Sequence, residues 1–372
     1  MFKDLGKLQY ISKKTRISIP LQEIPQDISL HPSLIIYRED EALHVYDRRC
    51  DHNGGTLCLI DHSIKCPMHD WEFDAKTGQY KNIQVSKQEL NYEISNENII
   101  VEVSEDIPIL ENTEEKLAIK VTFLSHACLL IETDEFSFVT DPWIIGFAFA
   151  GGWWPKIIPP TDWENIVNRA DFIYISHNHP DHLNLFTLEN IRKDMKFIVP
   201  GFQSDSVSKL LQKNGFENIF PANFSNYYQY KDTSLFITIL KSGDFRDDSG
   251  IYFTYGNFSF LSTVDSNDLN FKKFPKDVTL FASAFASGAT GYPLCFDTLG
   301  ESDKIKILDR NRMATKAMVK LNIKKCSPKY FMPYAGFFEE KAKRDSGILS
   351  RNLKNKIKDY EDIDAELLSI DN

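Results

Sequence analysis

The segment ISHNHPDHLN, residues 175–184, places His177, His179, Asp181 and His182 within six positions, directly after the apolar run DFIYI. Imidazole and carboxylate are ligand types of first-row metals. Three imidazoles and a carboxylate at one strand end therefore point to a bound metal rather than to a solvated loop. A second set stands upstream. CDH at 50–52 and CPMH at 66–69 arrange Cys50, His52, Cys66 and His69 as C-x-H and C-x-x-H. Two thiolates and two imidazoles could hold zinc tetrahedrally. They could equally hold a [2Fe–2S] centre, with both Cys on one iron and both His on the other.

These groups need elements to carry them. Residues 1–103 read as short strands, SLIIYRE, EALHVYD, SIKCPMH and NIIVEVS, separated by the turn signals HNGG and KTGQY. That is a small all-β domain in which each metal-ligand pair occupies a loop between strands. Residues 104–117 are acidic, contain a proline and lack a clean period, so they are expected to be a linker. From 118 to 340 strand-like runs (IKVTFLSH, CLLIE, FSFVTD, DFIYIS, KFIVP, SLFITILK, GIYFTYGNFSFLSTVD, VTLFASAF) mix with helical stretches such as LNLFTLENIRKDM, indicating an α/β domain. Residues 341–372 are expected to form a charged helical tail.

Composition narrows the function. At 372 residues the chain is long enough for two domains. A net charge of −10 argues against nucleic-acid binding. No run is apolar enough to span a membrane, and the first residues lack a signal-peptide pattern, so a cytoplasmic location is expected. Six scattered cysteines do not form a secreted disulfide framework. All nine histidines lie at or before His182, which limits the metal chemistry open to the rest of the sequence.

The flanks of the first set favour the iron–sulfur reading. CPMHDWEFDAKTGQY resembles the second cluster loop of Rieske proteins, and CDHNGG the first. The job of such a centre is one-electron transfer, which implies a donor and an acceptor. The H-x-H-x-D-H of the second set resembles the signature of the metallo-β-lactamase fold, an αββα sandwich. That resemblance implies Asp141 in SFVTDPW as an outer partner of the histidine loop and Asp265 in FLSTVD as a ligand. It also implies two downstream histidines, which are missing. Asp244 in KSGDFRDD is the best positional substitute for the first, with Asp247 and Asp248 as alternatives. A few imidazoles plus carboxylates with open positions suit a mononuclear non-haem iron, and an electron donor serves no purpose beside redox-inert zinc.

The blocks SHACLLIE, DPWIIGFAFAGGWW, PPTDW, ADFIYISHNHPDHL, STVD, SAFASGATGYP and PYAGFF, in that order, resemble the CMP-N-acetylneuraminate hydroxylase family over residues 30–340. The resemblance implies O2-dependent hydroxylation of the N-acetyl methyl of a CMP-linked sugar. Electrons would come from NAD(P)H through an external carrier, cytochrome b5-like or ferredoxin with its reductase. The alternative is a metal-dependent hydrolase, a phosphodiesterase or lactonase, with an accessory Rieske domain. His126 in SHAC reads as a core histidine, an outer partner of the metal loop or a substrate contact. Trp153, Trp154 and Trp163 read as core. Lys241, Arg246, Arg310 and Arg312 are candidates for the substrate's anionic groups.

Overall fold

The computed structural model describes residues 1–51, 57–60, 62–66, 71–108, 116–242, 246–266, 269, 274–286, 292–294, 296–341, 360–363 and 365–368. The chain divides into two compact units, one of residues 10–109 with 271–274, the other of residues 1–9, 110–270 and 275–372.

The smaller unit is all β. Strands Asp27–Leu30, Leu34–Glu39 and Ala42–Asp47 form an antiparallel sheet, and Cys58–Ile60, Ser63–Lys65, Glu72–Asp74 and Gln79–Tyr80 form another. Alternation along IIYRE sends neighbouring residues to opposite faces. Leu34 and Ile36 pack with Val45, Ile99 and Val101. Ile35 turns the other way, onto Cys50, Cys66, Phe73 and Tyr80. A third sheet pairs Asn98–Pro108 with Tyr10–Pro20 from Asn98↔Pro20 to Pro108↔Tyr10. The strand thus runs beyond the expected boundary at 103 into the stretch expected to be a linker. Its far half is held by the backbone ladder to Tyr10–Lys14, a pairing with a segment some ninety residues upstream that local periodicity does not announce.

The larger unit is a sandwich of two sheets. One, of six strands, runs in the order Lys120–Ser125, Cys128–Glu132, Ser137–Thr140, Phe172–Tyr174, Phe197–Pro200, Ile219–Ala222. The other has eight strands and includes Leu235–Lys241, Ser249–Tyr255, Phe258–Val264, Leu280–Ala284 and Tyr330–Tyr334. The inner faces meet in a core containing Leu129, Phe138, Tyr174, Ile237, Phe253 and Phe260. On the other face of the six-stranded sheet, Val139, Ile173 and Val199 pack with Val167, Leu188 and Leu211, which come from three helices. This β-rich unit followed by a mixed α/β sandwich is the fold class the sequence indicated.

Several elements differ from expectation. Phe2–Lys7 pairs with Asn226–Tyr230 in the sandwich, where Phe2 packs on Phe172, Phe220 and Tyr230, instead of joining the first domain. The helix expected over 183–195 is confined to Leu185–Leu188, capped by the Asn184 side chain accepting from Thr187 N. A 26-residue helix, Glu301–Cys326, joins two parallel strands and was not anticipated. Its acidic residues Glu301 and Asp303 open the first turn and Lys324 and Lys325 close the last, matching the helix dipole. In the expected tail, residues 342–359 lie outside the described set. The described residues there include a strand, Glu366–Leu367, parallel to Tyr330–Phe331.

Gly250 shows how tightly the sandwich closes around the site-bearing strands. A Cβ there would collide with the Ser262 carbonyl and the Leu269 side chain. Gly250→Ala is expected to destabilise the protein by about 1–3 kcal/mol, read as a lower midpoint in thermal or urea unfolding. An unchanged midpoint would show that the sheet yields more easily than its packing implies.

Candidate metal centres

Each of the two sequence clusters falls on loops at strand ends. In the smaller unit the loop carrying Cys50 closes at its base by Leu57 N donating to Arg48 O (2.9 Å) and Arg48 Nε donating to Leu57 O (2.8 Å). The loop after Cys66 closes by Cys66 N donating to Trp71 O (2.9 Å). Both cysteines are fully buried in one cluster. His52 and His69 lie outside the described residues. The cysteine half of the donor set thus fits a two-loop iron–sulfur site. Beside it, Tyr80 OH donates to Asp51 Oδ2 (3.0 Å) and accepts from Asp51 N (3.0 Å). Burial first, then the neighbouring Cys50, pushes the Tyr80 phenol far up, so it stays a donor. Lys87, also buried, bridges Asp47 (3.2 Å), Asp51 (3.1 Å) and the Arg49 carbonyl. These contacts brace the segment that flanks Cys50.

In the sandwich the second cluster is built on a parallel pair. Register Thr140↔Tyr174 brings Asp141 beside Ser176, at the start of the histidine loop. Asp141 is wholly buried and accepts from Ser176 N (2.7 Å), Ser176 Oγ (2.7 Å) and His182 Nδ1 (3.1 Å). Because a carboxylate only accepts, the Ser176 hydroxyl proton points to Asp141, and Ser176 Oγ must accept from His177 Nδ1 (2.9 Å). Both imidazoles are therefore anchored through Nδ1 and turn Nε2 to the same space.

Around that space the polar atoms fall into two groups, His177–His179–Asp265 and His126–Asp181–His182, each within 4.8 Å of one another. Each is a pair of imidazoles with one carboxylate. Separations such as His182 Nε2–Asp181 Oδ2 (3.7 Å), His182 Nε2–Asp265 Oδ2 (3.5 Å) and His177 Nε2–Asp265 Oδ2 (3.9 Å) are those of ligands about 2.1 Å from a shared ion. His177 and His179 hydrogen-bond each other, Nε2 to Nδ1 at 2.8 Å.

The electrostatics call for a cation. Burial, and then the charge of His182, drives His177 well below its usual pKa. Burial also opposes the charge on His182, but Asp181, Asp265 and the bond to Asp141 overcome it and hold that imidazole well above its usual value. Burial would raise Asp265, yet His182 and His177 hold its carboxyl well below the carboxylate range. Carboxylates thus gather around His182 and favour positive charge at this place, an arrangement that a divalent ion satisfies.

The structure brings His177, His179, Asp181, His182 and Asp265 together with Asp141 behind them. Asp244 lies outside the described residues. Of the two alternatives, Asp248 approaches His177 Nε2 (3.7 Å), with Arg246 on its other oxygen (3.2 Å), whereas Asp247 accepts from Ser204 at 2.5 Å. His126, read in the sequence as an outer partner, is buried within reach of Asp181 Oδ2 (3.4 Å). It forms no hydrogen bond through either ring nitrogen. The H-x-H pair thus groups with Asp265 and the D-H pair with His126, while His182 Nε2 also lies 3.5 Å from Asp265 Oδ2. Trp153 and Trp163 are buried, Trp153 stacked on Phe338 at 3.6 Å. Arg312 pairs with Asp309 on the long helix.

Residues 11–100 match the Rieske [2Fe-2S] domain family and residues 120–266 the β-lactamase superfamily domain. The chain is a Rieske and metallo-β-lactamase-fold protein. It is closely related to the cytidine monophosphate-N-acetylneuraminic acid hydroxylases, being 33% identical to that of Xenopus laevis over 87% of this chain and 58% of the relative. The Mus musculus protein of the same name is also 33% identical, over 86% of this chain and 59% of the relative. The chain thus spans about three-fifths of the length of these relatives. Among solved structures, CmlA, a diiron β-hydroxylase from Streptomyces venezuelae, superposes with a TM-score of 0.45 at 17% identity, covering 71% of this chain and 54% of that one. No helix among the described residues is long and apolar enough to cross a membrane.

Two outcomes follow from the geometry. Asp141→Asn disturbs the acceptor of His182 and, through Ser176, the orientation of His177, and is expected to weaken metal binding about 10–100-fold, measured by competition with a chelator. Unchanged affinity would show that the loop holds itself. Lys87→Met removes a buried cation from the segment flanking Cys50. It is expected to lower the reduction potential of the bound cluster and to destabilise that unit by about 1–3 kcal/mol. Potentiometric titration followed by EPR reads the first effect; a potential that stays or rises would contradict it.

Proposed function

We propose that this chain is an O2-dependent monooxygenase. It would hydroxylate the N-acetyl methyl of a CMP-linked, or related nucleotide-linked, N-acetylneuraminate-type sugar to give the N-glycolyl product. The observation that supports this most directly is the conjunction, in one chain, of buried Rieske-type cysteine loops with a site of two imidazoles and a carboxylate. A one-electron carrier has a use beside a redox-active, oxygen-binding metal and none beside a hydrolytic zinc.

Cys50, His52, Cys66 and His69 would hold the cluster. His177, His179 and Asp265 would hold the iron. When bound, the cluster supplies single electrons and the iron supplies oxygen activation. The chain's own residues do the rest. Asp141, directly and through Ser176, keeps His182 and His177 in the tautomers that leave Nε2 available. Trp143, Trp153 and Phe338 pack around His126 as an apolar wall that would keep bulk water from that side of the site. Across the reaction one oxygen atom enters a methyl C–H bond and the other leaves as water, consuming two electrons and two protons. Reducing equivalents would come from NAD(P)H through a cytochrome b5-like carrier or a ferredoxin with its reductase, in the cytoplasm.

The test is incubation of the holoenzyme with CMP-N-acetylneuraminate, reductant, carrier and isotopically labelled O2. The expected result is a sugar heavier by one labelled oxygen atom in wild type and no product from His177→Ala. Oxygen-independent cleavage of a phosphodiester or lactone, with zinc at the site, would replace this reading with a hydrolytic one.

A further inference from the structure

His126 is the group at the metal centre whose environment is least explained by a supporting role. It lies on the turn between Lys120–Ser125 and Cys128–Glu132, outside the histidine loop. Its side chain is 1% exposed. Trp143, Trp153 and Phe338 surround the ring at centroid distances of 5.0, 6.4 and 6.0 Å, and none of these rings offers it an acceptor. Neither ring nitrogen has a hydrogen-bond partner, and the same holds for Asp181 Oδ1 and His182 Nε2 close by. A buried polar atom left in that state forfeits its hydration with nothing in return. Four of them clustered at one place is an arrangement that a bound cation relieves.

The backbone points the same way. His126 has φ 32°, a conformation that side chains avoid, and its carbonyl is fixed by Ala335 N at 2.8 Å. Strain of this kind persists where the surroundings impose it for a purpose.

We propose that His126 is a metal ligand, completing with Asp181 and His182 a second metal position next to His177–His179–Asp265. Asp265 Oδ2 lies between the two groups, 3.5 Å from His182 Nε2 and 3.9 Å from His177 Nε2. The inference concerns ligands and metal count, and it stands or falls independently of which reaction the centre performs.

The test counts metals in the full-length holoprotein, purified anaerobically and passed over chelating resin. Total metal is measured by mass spectrometry, and acid-labile sulfide gives the share belonging to the iron–sulfur cluster. Wild type is expected to hold about two further ions per chain, His126→Gln about one, and His177→Ala about one. Circular dichroism confirms that each variant is folded. His126→Gln with the full wild-type complement would overturn the assignment. So would a wild-type chain holding a single ion beyond its cluster, a measurement that needs no variant to fold. Absence of sugar hydroxylation, by contrast, would remove the proposed reaction and leave the metal count untouched.

Discussion

The centre depends on one buried carboxylate. Asp141 is removed from water, which would cost several kcal/mol for an ion left without partners. Three donors offset that cost, and each also positions part of the site. Ser176 N fixes the start of the loop, Ser176 Oγ relays orientation to His177, and His182 Nδ1 fixes its ring. The arrangement exists because two parallel strands end side by side, so that Thr140 faces Tyr174 across the ladder. A shift by one residue would turn Asp141 to the wrong face. The sheet register is therefore a condition of the metal site as well as of the core.

The same logic explains what could be read from the amino-acid order. Ligands clustered in a short segment, such as His177 to His182, are visible because the loop alone brings them together. The buried strands CLLIE and KFIVP were visible because both their faces are apolar. His126 was visible as a residue of interest and not as a ligand, because its place beside Asp181 is created by the sheet and by Ala335, 209 residues later in the chain. Asp248 and Asp247 are chemically identical neighbours. Only the start of the Ser249–Tyr255 strand decides that one faces His177 and the other faces Ser204. The long helix escaped notice because its buried residues, Leu308, Met318, Val319 and Ile323, do not form an unbroken apolar stripe.

The two units solve different versions of one problem, burying polar metal donors in apolar surroundings. In the smaller unit the thiols of Cys50 and Cys66 are themselves part of a hydrophobic cluster, and charged groups are kept one residue away, at Asp51 with Tyr80 and Lys87. In the sandwich the donors are imidazoles and carboxylates that cannot be buried cheaply; His177 and His182 are tied to Ser176 and Asp141, while His126 is left without a hydrogen-bond partner among the described residues. The difference matches the two roles proposed. A centre that only passes electrons gains from a dry, rigid shell. A centre that binds oxygen needs positions not already filled by protein.

Backbone strain marks where that second requirement was met. His126, Asp141 and Val264 all have positive φ, at 32°, 34° and 51°. Two carry site groups and the third immediately precedes Asp265. Val264 is the most informative, since a β-branched residue in this region costs about 1–2 kcal/mol. Glycine would remove the strain. However, the Val264 side chain is buried, and burying a valine contributes about 1.5–3 kcal/mol. The two magnitudes favour keeping the side chain and tolerating the strain. The left-handed kink then ends the strand and turns Asp265 towards His177 and His182, so a single residue both seals the core and aims the carboxylate that reaches both groups of ligands.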